Sequence, residues 1–160
     1  MKIAIMSDSH DDWINLEKAV TIANERGCTH LLFAGDLIAP TGISILGKFK
    51  GEVKFVWGNN EGERVGLTRK MDASEKIELC GDVYEDTIGE VRVFMTHKPR
   101  IAELAAKSDE FDLCIHGHTH AFRNEEVNGA ILMNPGGIKG SNSSFAIFDL
   151  ETREVQQIAL

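Results

Sequence analysis

Lys2-Ile3-Ala4-Ile5-Met6-Ser7-Asp8-Ser9-His10 is a mostly apolar run that ends abruptly in hydroxyls, a carboxylate and an imidazole. A short run of this kind predicts a strand buried on both faces, as in a parallel sheet covered by helices. An amphipathic helix is expected next, over about Asp12 to Arg26. Trp13, Leu16, Ala19, Val20 and Ala23 recur at helical spacing, Asp11 or Asp12 offers an N-cap, and Gly27 offers a stop. His30 to Ala34 then reads as a second strand closed by Gly35-Asp36, and Val53 to Trp57 as a third that runs into Gly58-Asn59-Asn60. Strand, helix and strand in that order predict parallel pairing. Each of these strands ends in a polar cluster, and open α/β sheets bind ligands just beyond the carboxyl ends of their strands.

Between the second and third strands, Pro40 to Phe49 predicts a weaker helix, with Ile43, Leu46 and Phe49 on one face and Gly42 and Gly47 against it. Glu61 to Ala73 is charged and predicts a surface loop with a short helix. Beyond it come short strand patterns at Lys76–Leu79, Val83–Ile88 and Val91–Thr96, the last closed by His97. Pro99 can start a helix to about Ser108, with Ile101, Leu104 and Ala105 as its expected apolar face. Phe111–Ile115 is strand-like and delivers His116-Gly117-His118-Thr119-His120, three of the chain's six histidines. Ala121–Val127, Ala130–Met133, Ser144–Leu150 and Glu154–Ile158 complete a C-terminal half expected to be mostly antiparallel, with Asn128-Gly129 as a hairpin turn. The product is an α/β fold, two sheets face to face with helices on the outer surfaces.

At 160 residues, 42% hydrophobic and 26% charged, the chain is expected to form one domain, 1–160, with a sizeable core. No stretch approaches the roughly 18 apolar residues of a membrane span, and the N-terminus turns polar too soon for a signal peptide. Cys28, Cys80 and Cys114 are odd in number and lack a CxxC pair, so neither a disulfide framework nor a zinc ribbon is expected, and a cytoplasmic location fits. A net charge of −8 without a basic stripe argues against extended nucleic-acid binding. Homo-oligomerisation is left open.

The strand-end residues Asp8, His10, Asp36, Asn59, His97, His118 and His120 form a mixed donor set of carboxylate, amide oxygen and imidazole. Such a set suits Mn²⁺, Fe²⁺, Ni²⁺ or Zn²⁺ better than Ca²⁺ or Mg²⁺. Seven ligands exceed what one open catalytic ion needs and fit two ions sharing a carboxylate, with Asp36 the natural bridge. Two ions roughly 3.5–4 Å apart can bind a phosphate ester and hold a hydroxide nucleophile near neutral pH. That chemistry needs no protein nucleophile, and no GxSxG motif or P-loop is present.

Asp8-Ser9-His10, Gly35-Asp36, Gly58-Asn59, His97 and Gly117-His118-Thr119-His120 occur in an order that resembles the calcineurin-like metallophosphoesterases, specifically their short single-domain phosphodiesterase branch. The resemblance runs from Asp8 to the Asn134-Pro135-Gly136 turn. It implies a four-layer α/β/β/α sandwich and hydrolysis of phosphomonoesters or diesters, with Mn²⁺ the first-choice ion. It also implies that Asp8, His10, Asp36 and His120 hold one ion and Asp36, Asn59, His97 and His118 the other. Asp36, Asn59 and His97 then act catalytically through the metal centre. Many relatives carry a leaving-group histidine where this chain has Asn60, and His-Gly-His where it has His97-Lys98-Pro99. Asn60 and Lys98 are the candidate substrate contacts, and without a strong general acid, esters with good leaving groups are expected to be favoured. The expected partner is a small phosphate ester. A non-catalytic scaffold, akin to the retromer subunit that resembles these enzymes, is the alternative. Gly117 is expected to break the strand alternation, so that His118 and His120 serve different ions and His116 is structural.

Overall fold

A computed structural model describes residues 1–160. Strand β1 (Lys2–Met6) is buried on both faces, and its side chains divide by parity. Ala4 and Met6 join an apolar cluster with Leu16, Val20, Leu46, Phe49 and Leu67 from the helices α1 (Trp13–Glu25), α2 (Thr41–Leu46) and α3 (Arg64–Asp72) and the turn after α2. Ile3 and Ile5 face the other way, among Val93, Met95, Leu113, Ile115 and Met133 of a second sheet. The strand therefore has helices on one side and a sheet on the other, which its unbroken apolar run requires.

In its own sheet β1 lies beside β2 (His30–Phe33), which pairs β3 (Glu52–Phe55), which pairs β4 (Ile77–Leu79), all in parallel. The opposite flank is closed antiparallel by β10 (Ser144–Asp149) and then β11 (Val155–Ala159). The second sheet runs β5 (Val83–Ile88), β6 (Val91–Thr96), β7 (Leu113–Ile115), β9 (Ala130–Asn134) and β8 (Arg123–Val127). Its hairpins are antiparallel, but β6–β7 and β7–β9 are parallel. The C-terminal half is mostly antiparallel as expected, and these two parallel pairings are what its sequence pattern does not show. A helix, α4 (Pro99–Ala106), carries the chain from β6 back to the start of β7, and such a crossover delivers a parallel strand. With α1–α3 outside one sheet and α4 outside the other, the result is the α/β/β/α sandwich, with an apolar cluster at each of the three junctions between layers.

Of the apolar face expected for helix α4, Ala105 packs against the sheet but Ile101 and Leu104 turn outward. Ala102 and Ala106 face Phe94, Cys114 and Leu132, while Ile101 and Leu104 are 39% and 55% exposed. The two alanines allow the helix axis to approach the sheet, which a larger side chain would prevent. Ala102→Leu is therefore expected to destabilise by about 1–3 kcal/mol through overpacking, and Leu104→Ala by less than about 0.5 kcal/mol. Urea unfolding of the two variants checks this ordering, and equal losses would contradict it.

Candidate metal centre

The polar clusters lie where the parallel strands end: Asp8 and His10 after β1, Asp36 after β2, Asn59 after β3, His97 after β6, His118 and His120 after β7. Backbone bonds fasten these loops to one another. Asp8 N–H donates to Gly35 O at 2.9 Å, His10 N–H to Asp36 O at 3.1 Å, and Ile138 N–H to Ser7 O at 3.1 Å. His118 N–H donates to Asp8 Oδ2 at 3.0 Å. Gly117 is required at that crossing, because a Cβ there would run into the Ser7 hydroxyl and the Asp8 carboxylate. Gly58 is required similarly beside the Asp36 carboxylate.

Asp8, His10, Asp36, His118 and His120 all have left-handed backbones, with φ of 56°, 42°, 62°, 72° and 57°. Non-glycine residues enter this region at a cost, and such strain concentrates at functional sites. Five of the seven candidate ligands share it, together with the neighbouring Asp11 and Ile38, while Asn59 and His97 do not.

The side chains converge in two groups. In one, the Nε2 atoms of His10 and His120 are 3.1 Å apart. Asp8 Oδ1 is 3.8 Å from the former and 3.3 Å from the latter, and Asp36 Oδ2 is 3.4 Å from His10 Nε2. In the other, Asn59 Oδ1 lies 2.8 Å from both His97 Nε2 and His118 Nδ1, and Asp36 Oδ1 is 3.5 Å from His97 Nε2. Asp36 thus addresses one group with each of its oxygens.

The polar bookkeeping of both groups fits divalent cations. Asp8 Oδ1 is buried and accepts no hydrogen bond, an arrangement that a cation resolves. Burial raises the Asp8 carboxyl above its usual range, against the lowering effects of the Ser7 hydroxyl and of His97 and His120. Burial also lowers His10 below the usual imidazole range, against Asp36 and Asp8, so the neutral ring that a metal ligand needs is favoured. His97 Nδ1 lies 2.7 Å from Ala34 O and can donate to it. With that proton in place, Nε2 turns a lone pair toward the amide oxygen of Asn59, and a shared cation relieves the conflict.

Other expected residues are also placed. Asn60 N–H donates to Asp36 Oδ1 at 2.8 Å, with the Asn60 amide nitrogen 3.4 Å from Oδ2, so Asn60 borders the centre. Lys98 is exposed at the N-cap of α4, directly after His97. His116 is 1% exposed, with Nδ1 against Gly117 O and Nε2 unpartnered, turned away from both groups. His30 is satisfied by Thr29 Oγ1.

Two residues, Glu61 beside Gly58-Asn59-Asn60 and Asn134 of the Asn134-Pro135-Gly136 turn, have larger structural parts than the sequence indicates. Glu61 is buried and accepts Asp36 N–H at 2.6 Å with one oxygen and Gly58 N–H at 2.7 Å with the other. Burial raises its carboxyl, and those two N–H groups oppose the rise. Asn134 is fully buried, and its amide donates to Gly117 O at 2.8 Å and Thr119 Oγ1 at 3.0 Å, bracing the loop of His118 and His120.

Fold and donor cluster together define a sandwich fit to hold divalent cations at converging strand ends. The profile of the calcineurin-like phosphoesterase superfamily domain matches residues 1–153, and the chain belongs to that superfamily. A curated phosphodiesterase of Methanocaldococcus jannaschii is 32% identical over 165 residues, covering 100% of this chain and 99% of that one. A solved structure described as a novel archaeal phosphodiesterase superposes with a TM-score of 0.92 at 32% identity, over 100% of both chains. The fold alone is shared with Vps29 of Chaetomium thermophilum, at a TM-score of 0.70 and 15% identity over 100% of this chain and 94% of that one. No helix is long and apolar enough to cross a membrane.

Proposed function

We propose that this chain is a phosphoesterase that hydrolyses small phosphate esters, diesters foremost, at a centre of two divalent ions. Asp8, His10, Asp36 and His120 hold one ion, Asp36, Asn59, His97 and His118 hold the other, and Asp36 bridges them. The observation that carries this reading is the convergence of seven residues, scattered from position 8 to position 120, into two adjoining groups, with Asp36 3.4 Å from His10 Nε2 and 3.5 Å from His97 Nε2 and with Asp8 close to donors of both. The similarity to an archaeal phosphodiesterase over the full chain supports the reaction class.

Bound there, such ions supply Lewis acidity and lower the pKa of a coordinated water to about 7. Mn²⁺ is the first choice, and Fe²⁺, Ni²⁺ and Zn²⁺ also suit a donor set of imidazole, carboxylate and amide oxygen. Asn60 orients the Asp36 carboxylate and offers an amide N–H to a phosphoryl oxygen, but it has no proton to give a leaving group. Esters with good leaving groups should therefore turn over best. Lys98, exposed directly after His97, is the candidate for a second, outer contact with the substrate's charge. The small substrate follows from the acidic surface, −8 overall, which repels a polyanion. A cytoplasmic location agrees with the three free cysteines.

The test is metal analysis followed by assay of aryl phosphomono- and diesters with Mn²⁺, Ni²⁺, Fe²⁺ and Zn²⁺. Failure to turn over any of them would overturn the proposal. The scaffold reading is weaker, because a scaffold has no need of a full, strained ligand set. The exposed large apolar side chains are Met1, Ile14, Val65, Ile101 and Leu104, of which Ile101 and Leu104 are one turn apart on α4.

The histidines of the loop after β7 should separate in assay. His118→Ala and His120→Ala are each expected to cut kcat/KM by about 10²-fold or more. His116→Phe should keep it within about threefold, because its ring packs in the interior. Similar losses at all three positions would refute the assignment.

A further inference from the structure

The loop after β7 is exposed at His118, Thr119 and His120, and both histidines hold left-handed backbones, with φ of 72° and 57°. Such a conformation needs support from its surroundings. Asn134, the last residue of β9, is fully buried and bonds to this loop from the interior. Gly136 N–H donates to Asn134 Oδ1 at 2.9 Å, which identifies the oxygen end of the amide. Both amide hydrogens are therefore given to the loop, one to Gly117 O at 2.8 Å and one to Thr119 Oγ1 at 3.0 Å.

The turn after Asn134 is anchored on the first sheet. The Ser144 hydroxyl of β10 donates to Pro135 O at 2.9 Å, and Ser144 N–H donates to Gly137 O at 3.0 Å. Gly137 N–H in turn donates to His120 O at 3.3 Å. Gly117 O has two donors besides Asn134, namely His116 Nδ1 and Thr119 N–H, each at 2.9 Å. His116 Nδ1 lies 3.3 Å from the Asn134 amide nitrogen and carries its own proton to that carbonyl. Loss of His116 thus leaves Gly117 O held, whereas Thr119 Oγ1 meets Asn134 alone. Asn134 is the one side chain bonded to the residue between the two ligands.

We infer that Asn134 is a positioning residue for both metal ions. It contacts no donor atom of the centre, and through Gly117 and Thr119 it fixes the spread of His118 and His120, so that each ring reaches its own group. This role rests on the two-ion reading and adds that one buried amide sets the affinity of both sites. Removing its bonds to the loop weakens the two ions together, and the defect lies in holding metal rather than in the chemical step.

Calorimetry of Mn²⁺ binding to the metal-free protein tests this without a substrate. Asn134→Leu keeps the branched shape, adds no charge and loses both donors; Thr119→Val loses only the acceptor, at an exposed position. Both binding steps are expected to weaken about tenfold in each, as for groups that orient metal ligands, while Thr119→Ser and His116→Phe stay within about threefold of the parent. Turnover of bis-p-nitrophenyl phosphate should fall in the two weakened variants at limiting Mn²⁺ and return to within about threefold of the parent at saturating Mn²⁺. Affinity within about twofold of the parent in both variants would overturn the inference. So would weakening of one step alone, a Thr119→Ser as weak as Thr119→Val, or a loss of turnover that saturating Mn²⁺ does not repair. If Asn134→Leu fails to fold, the two Thr119 variants decide. A parent that binds two ions and hydrolyses no ester removes the phosphoesterase reading, and the affinities alone then judge Asn134. A parent that binds no ion overturns both.

Discussion

Asp36→Asn is expected to lower kcat/KM for an aryl phosphodiester by about 10³-fold, roughly 4 kcal/mol of transition-state stabilisation. One Asp36 oxygen is 3.4 Å from His10 Nε2 and the other 3.5 Å from His97 Nε2, so a single substitution weakens both groups. Asparagine has nearly the same shape and keeps an oxygen to accept Asn60 N–H, while Glu61 holds the position 36 backbone independently. The loss should therefore fall on metal content and turnover, with the melting temperature little changed. Mn²⁺ per chain, kcat/KM and thermal unfolding measured together check this. A variant within tenfold of the parent would remove Asp36 from the centre.

The second large effect lies one step back from the ligands. In Glu61→Gln one carboxylate oxygen becomes an NH₂ group facing a buried N–H, of Asp36 or of Gly58, which at present donates to it. Leaving a buried donor unmatched beside a second donor is expected to cost about 3 kcal/mol, or roughly 6–12 °C in Tm for a chain of this size. The loops of Asp36 and Asn59 would also lose their common clamp, so kcat/KM should fall about 10–100-fold. Scanning calorimetry and the diester assay read the two losses. A shift under 2 °C would show that the clamp is not needed.

The ends of the strands were legible because short apolar runs stop at polar residues and glycines, as at Met6-Ser7-Asp8 and Ala34-Gly35-Asp36. Those junctions are local, and the strand ladder then brings them together. The clamping part of Glu61 was not legible, for the opposite reason. Glu61 begins a charged segment that reads as solvated surface, and only the approach of the β2 and β3 loops, 25 residues apart in sequence, turns it inward. The face of α4 misled because periodicity rewards large apolar side chains. The contact with the second sheet instead selects small ones, Ala102 and Ala106, and leaves Leu104 outside. The parallel pairing of β7 depended on where α4 returns the chain, which no pattern within β7 itself records.

The left-handed backbones of Asp8, His10, Asp36, His118 and His120 have a consequence for descent as well as for chemistry. Each is held in place by the surrounding sandwich at a cost of order 1–3 kcal/mol, and glycine would relieve most of it. A lineage no longer selected for such a centre would gain stability at each of these five positions it exchanged for glycine, so a centre of this kind should erode quickly once idle.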